Sequence, residues 1–98
     1  MNFSPLISIL MPVRNDASFL GKCLDDIANQ SFENYELLVV DDGSSDGTPQ
    51  LLKKAKRRDP RVRIIQTSAN GIVSALNSGL SECRGEYIAR MHADASME

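Results

Sequence analysis

Several features that would place a sequence in a familiar class are missing from this one. No apolar run approaches the roughly 20 residues that span a bilayer, and no charged N-terminal segment precedes a long hydrophobic one. The formal net charge of -2 provides no overall basic surface, so we expect no nucleic-acid partner. These absences predict a cytoplasmic globular domain without a membrane span in this segment, with any membrane association made through other parts of a longer protein.

Cysteine is also scarce. The two cysteines, Cys23 and Cys83, have no partner at the spacing of a zinc site, and both fall at apolar positions of predicted helices. We interpret them as core thiols. The basic run from Lys53 to Arg58 is local, and its simplest interpretation is a solvated helix face.

Glycine motifs that bind phosphate are missing as well. There is no G-x-G-x-x-G after the first predicted strand and no G-x-x-x-x-G-K-[ST] anywhere, which argues against a dinucleotide oxidoreductase and a P-loop enzyme. A nucleophilic serine elbow is absent too. A diphosphate bound here would therefore depend on metal charge and backbone N–H donors.

What the sequence does contain is a regular alternation of strand and helix patterns. Short apolar runs predict strands at 6–11, 35–40, 62–66 and 87–91. Three helices are predicted between them. Asn15 or Asp16 caps the first, Thr48 caps the second, and the third ends at Gly85. The apolar stripes of the first and third helices are Phe19, Leu20, Cys23, Leu24 and Ile27, and Val73, Leu76, Leu80 and Cys83.

This alternation predicts an α/β fold, a Rossmann-like three-layer sandwich with a mostly parallel sheet and helices on both faces. Ligands of such sheets bind outside the carboxyl ends of the strands. The rule selects four loops, which should meet at one edge: 12–16, 41–46, 67–71 and 92–94.

Two of these loops carry residues suited to nucleotide or metal chemistry. Asp41 and Asp42 end the second strand, where adjacent side chains point to opposite sides, so one of them should enter a cleft. It could accept hydrogen bonds from a base or ribose, or it could cap the following turn. His92 and Asp94 could bind Mg²⁺ or Mn²⁺, although a surface pair is the simpler interpretation of that tripeptide alone.

The order of the motifs strongly resembles glycosyltransferase family 2 along essentially the whole chain. The resemblance rests on segments 8–16 (SILMPVRND), 29–32 (NQSF), 36–48 (ELLVVDDGSSDGT), 70–71 (NG) and 85–94 (GEYIARMHAD). It implies the nucleotide-sugar-binding half of a truncated GT-A fold over residues 1–98, with the acceptor-binding half absent and the general base beyond Glu98. We would then expect this segment to be inactive alone.

The resemblance also implies roles for individual residues. Asp42 would hydrogen-bond the base, with Asp41 beside it in the nucleotide site, and Asp94 would coordinate Mn²⁺ or Mg²⁺ on the diphosphate, with His92 as a second ligand. The other nucleotide-binding residues would be Pro12, Val13, Arg14, Asn15, Asn70 and Gly71. The implied reaction is inverting transfer from a nucleotide sugar, expected to be a UDP-sugar, to a glycan or lipid-linked acceptor in polysaccharide or cell-wall synthesis.

Three positions depart from the family pattern. The metal motif has His92 and Ala95 where the family commonly has further acids, Leu76 stands where an arginine is frequent, and Arg14 stands where an aromatic is frequent. Arg14 could stack on the base, pair with phosphate or be solvated. Two other functions stay open: a nucleotide-sugar-binding module without catalysis, and a phosphoacceptor receiver domain, whose further acid and lysine this order does not supply.

Overall fold

The structure is a computed structural model that describes residues 4–92. Four strands and three helices alternate along the chain in these residues. The strands are β1 (Ile7–Val13), β2 (Tyr35–Asp42), β3 (Val62–Thr67) and β4 (Tyr87–Arg90), and the helices are α1 (Ala17–Asn29), α2 (Thr48–Arg58) and α3 (Ile72–Leu80).

All four strands are parallel and lie in the order β3-β2-β1-β4. In the register, Ser8 lies beside Glu36 on one side and Ile88 on the other, and Val13 lies beside Asp41. Parallel strands need crossover connections, and here a helix joins each strand to the next one along the chain. The α/β fold with a parallel sheet is therefore confirmed.

Helices cover both faces of the sheet, which explains why β2 is buried along its whole length. The larger core lies under α1 and α2 and takes alternate residues of β1 and β2, including Ile9, Met11, Leu37 and Val39. The smaller core lies under α3. Its buried residues are Leu10, Leu38, Val40 and Ala75.

The predicted stripe of α3 is correct in part. Leu76 and Cys83 pack against the smaller core, but Val73 and Leu80 are exposed, and the buried positions of the helix are Ala75 and Gly79. Small residues face the sheet because α3 lies so close that a Cβ at Gly79 would overlap the Leu10 side chain. The helix also ends at Leu80 and not at Gly85, so Cys83 lies outside the helix, although it packs against the smaller core.

Two details of the other helices also differ from expectation. Phe19 is exposed, while the rest of the predicted α1 stripe is buried. The N-cap of α2 is Gly47, and Thr48 is the first helical residue. The Thr48 side chain instead joins the two helix starts, because its Oγ1 accepts a hydrogen bond from the backbone N–H of Asp16 at 3.2 Å.

One acid satisfies the first N–H groups of both α1 and α2. The carboxylate of Asp46 accepts from the backbone N–H of Ala17 at 3.2 Å and from that of Thr48 at 2.9 Å. These are groups that a helix leaves without an internal partner. Hydrogen bonding to Thr48, then to Ala17, keeps the pKa of Asp46 below its ordinary value.

Charge is unevenly placed along α2. The N-terminus of α2 lies at the carboxyl edge of the sheet, and its last turn, at the amino edge, contains Lys56, Arg57 and Arg58. Of these three, Arg58 is the one with an ion pair among residues 4–92, at 3.6 Å from Asp25. This basic end lies away from the loops that were selected as a ligand site.

β4 is an edge strand with little cover on either face. Tyr87 and Ile88 point to opposite faces, and they are 64% and 45% exposed. Backbone hydrogen bonds join Tyr87 N–H to Leu6 O and Met91 N–H to Leu10 O, both at 3.0 Å. Within the described part of the chain, no helix is long and apolar enough to cross a membrane.

Candidate nucleotide site

A cavity of about 270 Å³ opens at the carboxyl edge of the sheet. Residues from β1 and its loop, the end of β2, the first turn of α3 and the end of β4 surround it. Its lining residues are Pro12, Val13, Arg14, Asp16, Asp42, Gly71, Ile72, Ala75 and His92.

Asp42 is the most strongly held side chain of this cavity. Its Oδ1 accepts hydrogen bonds from Thr67 Oγ1 at 2.6 Å and from Asn70 N–H at 3.0 Å, and its Oδ2 accepts from Gly71 N–H at 2.9 Å. The Thr67 hydroxyl, ahead of the two backbone donors and the nearby Arg14 charge, keeps the pKa of Asp42 below its ordinary value. Asp42 is therefore a fixed anion, and its carboxylate has further acceptor capacity for a ligand.

Asp41 has a different place. It is 3% exposed, is absent from the cavity lining, and its Oδ1 accepts from the backbone N–H of Ser44 at 3.1 Å. The alternation along β2 therefore separates the two acids as expected: Asp42 lines the cavity and Asp41 caps the turn. The capping alternative therefore holds for Asp41, and the ligand-binding role of Asp42 stays a prediction.

Asn15 joins two loops and is absent from the cavity lining. Its backbone is in the left-handed region with φ 54°. Its N–H donates to Ser44 Oγ at 2.9 Å, and its Oδ1 accepts from Ser45 N–H at 2.7 Å. These bonds hold the β1–α1 loop, which contains Arg14, against the β2–α2 loop.

The β3–α3 loop is held by Asp42 and by close packing. Ala69 has φ 57° and Gly71 has φ 97°. A Cβ at Gly43 would lie 2.8 Å from the Ala69 Cβ, so glycine is required for this approach. Asn70 contributes its backbone N–H to Asp42, and its side chain is not among the cavity residues.

His92 is the one predicted metal residue that the structure describes. It is exposed and lines the cavity, whereas Asp94 lies outside the described residues. Within residues 4–92, no group of three histidine, cysteine or acidic side chains could hold a metal ion. The described residues therefore bring a single imidazole to this side of the cavity, and they do not by themselves form a metal centre.

Three lining residues were not predicted as site residues: Asp16, Ile72 and Ala75. Asp16 is the N-cap residue of α1, one of the two predicted, but its carboxylate accepts from Arg14 N–H at 3.0 Å and makes no cap bond to the helix. Ile72 and Ala75 lie in the first turn of the helix that follows a selected loop, so their position could have been predicted. Neither belongs to the apolar stripe that was predicted for α3.

The cavity combines groups that suit a nucleotide. Asp42 provides a charged acceptor for base or ribose donors, Arg14 provides a cation, and Val13, Ile72 and Ala75 provide apolar surface. The fold and this cavity together define an α/β domain whose site lies at the carboxyl edge of a parallel sheet.

Comparison with known proteins identifies the family. The protein-family model that is described as glycosyl transferase family 2 matches residues 8–98. The chain belongs to this family, which confirms the resemblance drawn from its motifs.

Curated relatives are similar over almost the whole chain. The chain is 36% identical over 98 residues to a hyaluronan synthase of Pasteurella multocida, covering all of the chain and 10% of that protein. It is 32% identical over 95 residues to the putative glycosyltransferase EpsH of Bacillus subtilis, covering 97% of the chain and 28% of EpsH. The chain thus spans about a tenth to a quarter of the length of these two relatives.

Solved structures share the fold. The mannosyltransferase PcManGT from Pyrobaculum calidifontis, in complex with GDP-Man and Mn²⁺, superimposes with a TM-score of 0.86 at 29% identity, covering 93% of this chain and 28% of that one. TarS 1–349 of S. aureus in complex with UDP-GlcNAc gives 0.82 at 28% identity, covering 90% and 26%. The expectation of a GT-A fold is confirmed.

Proposed function

We propose that residues 1–98 form the nucleotide-sugar-binding part of an inverting glycosyltransferase. The donor is a nucleotide sugar, first of all a UDP-sugar, and the acceptor is a glycan or a lipid-linked saccharide of polysaccharide or cell-wall synthesis. The observation that carries this proposal is the Asp42 carboxylate, which lines the cavity and is kept charged by three hydrogen bonds. Nucleotide-sugar complexes of PcManGT and TarS support it.

In this proposal the base lies beside Pro12, Val13 and Gly71. Asp42 accepts a hydrogen bond from an N–H of the base, and uracil and guanine both offer such a donor. Asn15, Asp41 and Asn70 contribute by holding the loops around the base. The side chains of Asn15 and Asp41 accept from loop N–H groups, and the N–H of Asn70 donates to the Asp42 carboxylate.

The diphosphate extends from the base toward Arg14 and the end of β4. Arg14 pairs with phosphate oxygens as a permanently charged group. Asp94 and His92 are the residues proposed to hold Mn²⁺ or Mg²⁺, which would stabilise the charge of the leaving nucleoside diphosphate. Mn²⁺ in the PcManGT complex supports a divalent ion in this fold.

Acceptor binding and catalysis belong, in this proposal, to a longer protein. The exposed faces of β4 and the short share of each relative that the chain spans support a second, acceptor-binding half that contains the general base. The 98 residues alone would therefore bind the donor nucleotide without transferring its sugar.

The proposal is tested by calorimetric titration of the chain with UDP and with GDP, each with and without Mn²⁺. We expect one nucleotide to bind and Mn²⁺ to increase its affinity. The Asp94→Ala variant should lose the increase and keep the affinity measured without metal.

Lys53→Ala is the matched control for this titration, because Lys53 lies on α2 outside the cavity. It should behave like the wild type. If the chain binds neither UDP nor GDP, the proposal is overturned. If Mn²⁺ does not change the affinity for the nucleotide, its metal part is overturned.

A further inference from the structure

A buried polar network lies under the α3 face at the amino edge of the sheet, at the opposite end from the cavity. Its centre is Glu36 in β2, which is 1% exposed. Glu36 Oε2 accepts from Ser8 Oγ and, at 2.7 Å, from Arg84 N–H, while Oε1 accepts from Arg63 Nη1 at 2.8 Å. Ser8 Oγ in turn accepts from Gly85 N–H at 2.8 Å.

A carboxylate at this depth is costly unless several donors satisfy it. Burial acts to raise the pKa of Glu36, but the bonds from Ser8, Arg84 and Arg63 outweigh it and leave the pKa below its ordinary value. Within the described residues, no buried side-chain polar atom lacks a partner. Apolar side chains could fill the same space without this cost. The network therefore points to a requirement for one defined arrangement of the chain segments that it joins.

The backbone partners of the network show what it specifies. Arg84 N–H and Gly85 N–H lie just before β4, and Gly85 approaches β1 so closely that a Cβ there would lie 2.5 Å from Ser8 N. Among residues 4–92, β4 pairs with β1 alone, and its own side chains are largely exposed. Apart from Met91, which is buried in the larger core just after β4, few side-chain contacts oppose a slip along β1.

A slip would reach the cavity. Each residue of register is about 3.3 Å of strand, and a shift by one residue exchanges the two faces. His92 follows β4 directly and lines the cavity. Its position there therefore depends on where β4 starts.

We infer that Glu36 and Ser8 are positioning residues of the nucleotide site: they bind the backbone at residues 84 and 85, fix the register of β4, and so place His92 at the cavity. The nucleotide affinities that test this inference rest on the proposed function. The hydrogen exchange of β4, which also tests it, does not.

The test compares Glu36→Gln and Ser8→Ala with the wild-type chain in two measurements. In hydrogen exchange, the amides of Tyr87 and Met91, which donate to Leu6 and Leu10, should exchange at least about tenfold faster, with the amides of β2 and β3 changed much less. The second measurement is titration with UDP and uridine, or with GDP and guanosine if that pair binds better. The affinity of the variants for the nucleoside diphosphate should fall about fivefold or more. The nucleoside should lose less than about twofold, because Asp42 on β2 is unaffected.

Ile27→Ala is the matched control, since Ile27 is buried at the same end of the sheet on its other face. It should accelerate exchange across the sheet without singling out β4, and it should keep the ratio of the two affinities. Ser8→Ala removes only one bond to the chain before β4, so it still gives an answer if Glu36→Gln does not fold.

Two results would overturn the inference: exchange of β4 that rises no more than that of β2 and β3, or diphosphate and nucleoside affinities that fall together. If the wild-type chain binds no nucleotide, the proposed function fails. The exchange of β4 still decides whether Glu36 and Ser8 set its register.

Discussion

The Asp42 carboxylate both holds the chain around it and faces the cavity. It accepts hydrogen bonds from Thr67 at the end of β3 and from Asn70 and Gly71 in the segment that follows. In the proposed function, a ligand would therefore meet an anion whose orientation is already fixed. Such pre-organisation reduces the ordering that binding would otherwise require.

Replacement of Asp42 by asparagine should weaken nucleotide binding by roughly 10- to 100-fold, because a hydrogen bond to a charged acceptor becomes one to a neutral amide and one oxygen becomes a donor that opposes Gly71 N–H. The measurement is the calorimetric affinity for UDP or GDP. Asp59→Asn removes an acid that pairs with Arg61 at 2.8 Å, away from the cavity, and should keep the wild-type affinity. An equal loss in both variants would show that general charge is responsible.

At the residue scale, the sequence predicted the position of Asp42 well and its partners not at all. The end of an apolar strand, with alternating side chains, was enough to place one of two adjacent acids at the cavity. The Thr67 hydroxyl and the N–H groups of Asn70 and Gly71 come from a loop whose path depends on left-handed backbone at Ala69. The spacing of apolar residues along the sequence does not predict the path of such a loop.

At the scale of elements, the strands and the first two helices were largely predictable because long apolar runs with turn residues between them have few alternatives. α3 was not. Cys83 lies three residues beyond Leu80 and fits a helical spacing, but Arg84 N–H donates to Glu36 rather than to a helix carbonyl. The N–H groups of Glu82 and Cys83 already bond three residues back, to Gly79 and Leu80, so α3 ends in a tight turn before the chain is held by Glu36, 48 residues away in the sequence.

Two glycine substitutions should separate close packing from helix propensity. Gly85→Ala should destabilise the chain by about 1–3 kcal/mol, because its Cβ would meet the backbone of β1, which cannot move aside. Gly21→Ala lies in α1 with no atom within 4 Å of the added Cβ and should stabilise the chain by up to about 1 kcal/mol. Urea unfolding followed by circular dichroism measures both. A loss of stability in both variants would contradict the packing argument.

At the scale of the whole molecule, acid should destabilise the fold. The pKa values of Glu36, Asp42, Asp46 and Asp59 are all below their ordinary values. Their stabilising contribution is therefore complete at pH values above the unfolded-state pKa, about 4. It is lost as the pH falls through the lower values of the folded state.

This pH dependence is measured as the free energy of unfolding in urea at pH 7, 5 and 3.5. It should fall mainly below about pH 5, and Glu36→Gln should show a smaller fall because it lacks one of the linked carboxylates. A free energy that decreases steadily from pH 7, or a Glu36→Gln profile parallel to that of the wild type, would show that other groups are responsible.

The separation of charge along the molecule has a kinetic consequence. At the carboxyl edge, four carboxylates outnumber the guanidinium of Arg14, while the cations of the last turn of α2 lie at the far end. The four are Asp16, Asp41, Asp42 and Asp46. An anionic nucleotide that approaches without a metal ion meets a repulsive field, which dissolved salt screens over about 10 Å at 0.1 M. Stopped-flow association without Mn²⁺ should therefore become faster as ionic strength rises, the reverse of the behaviour of a site that attracts its anion from a distance.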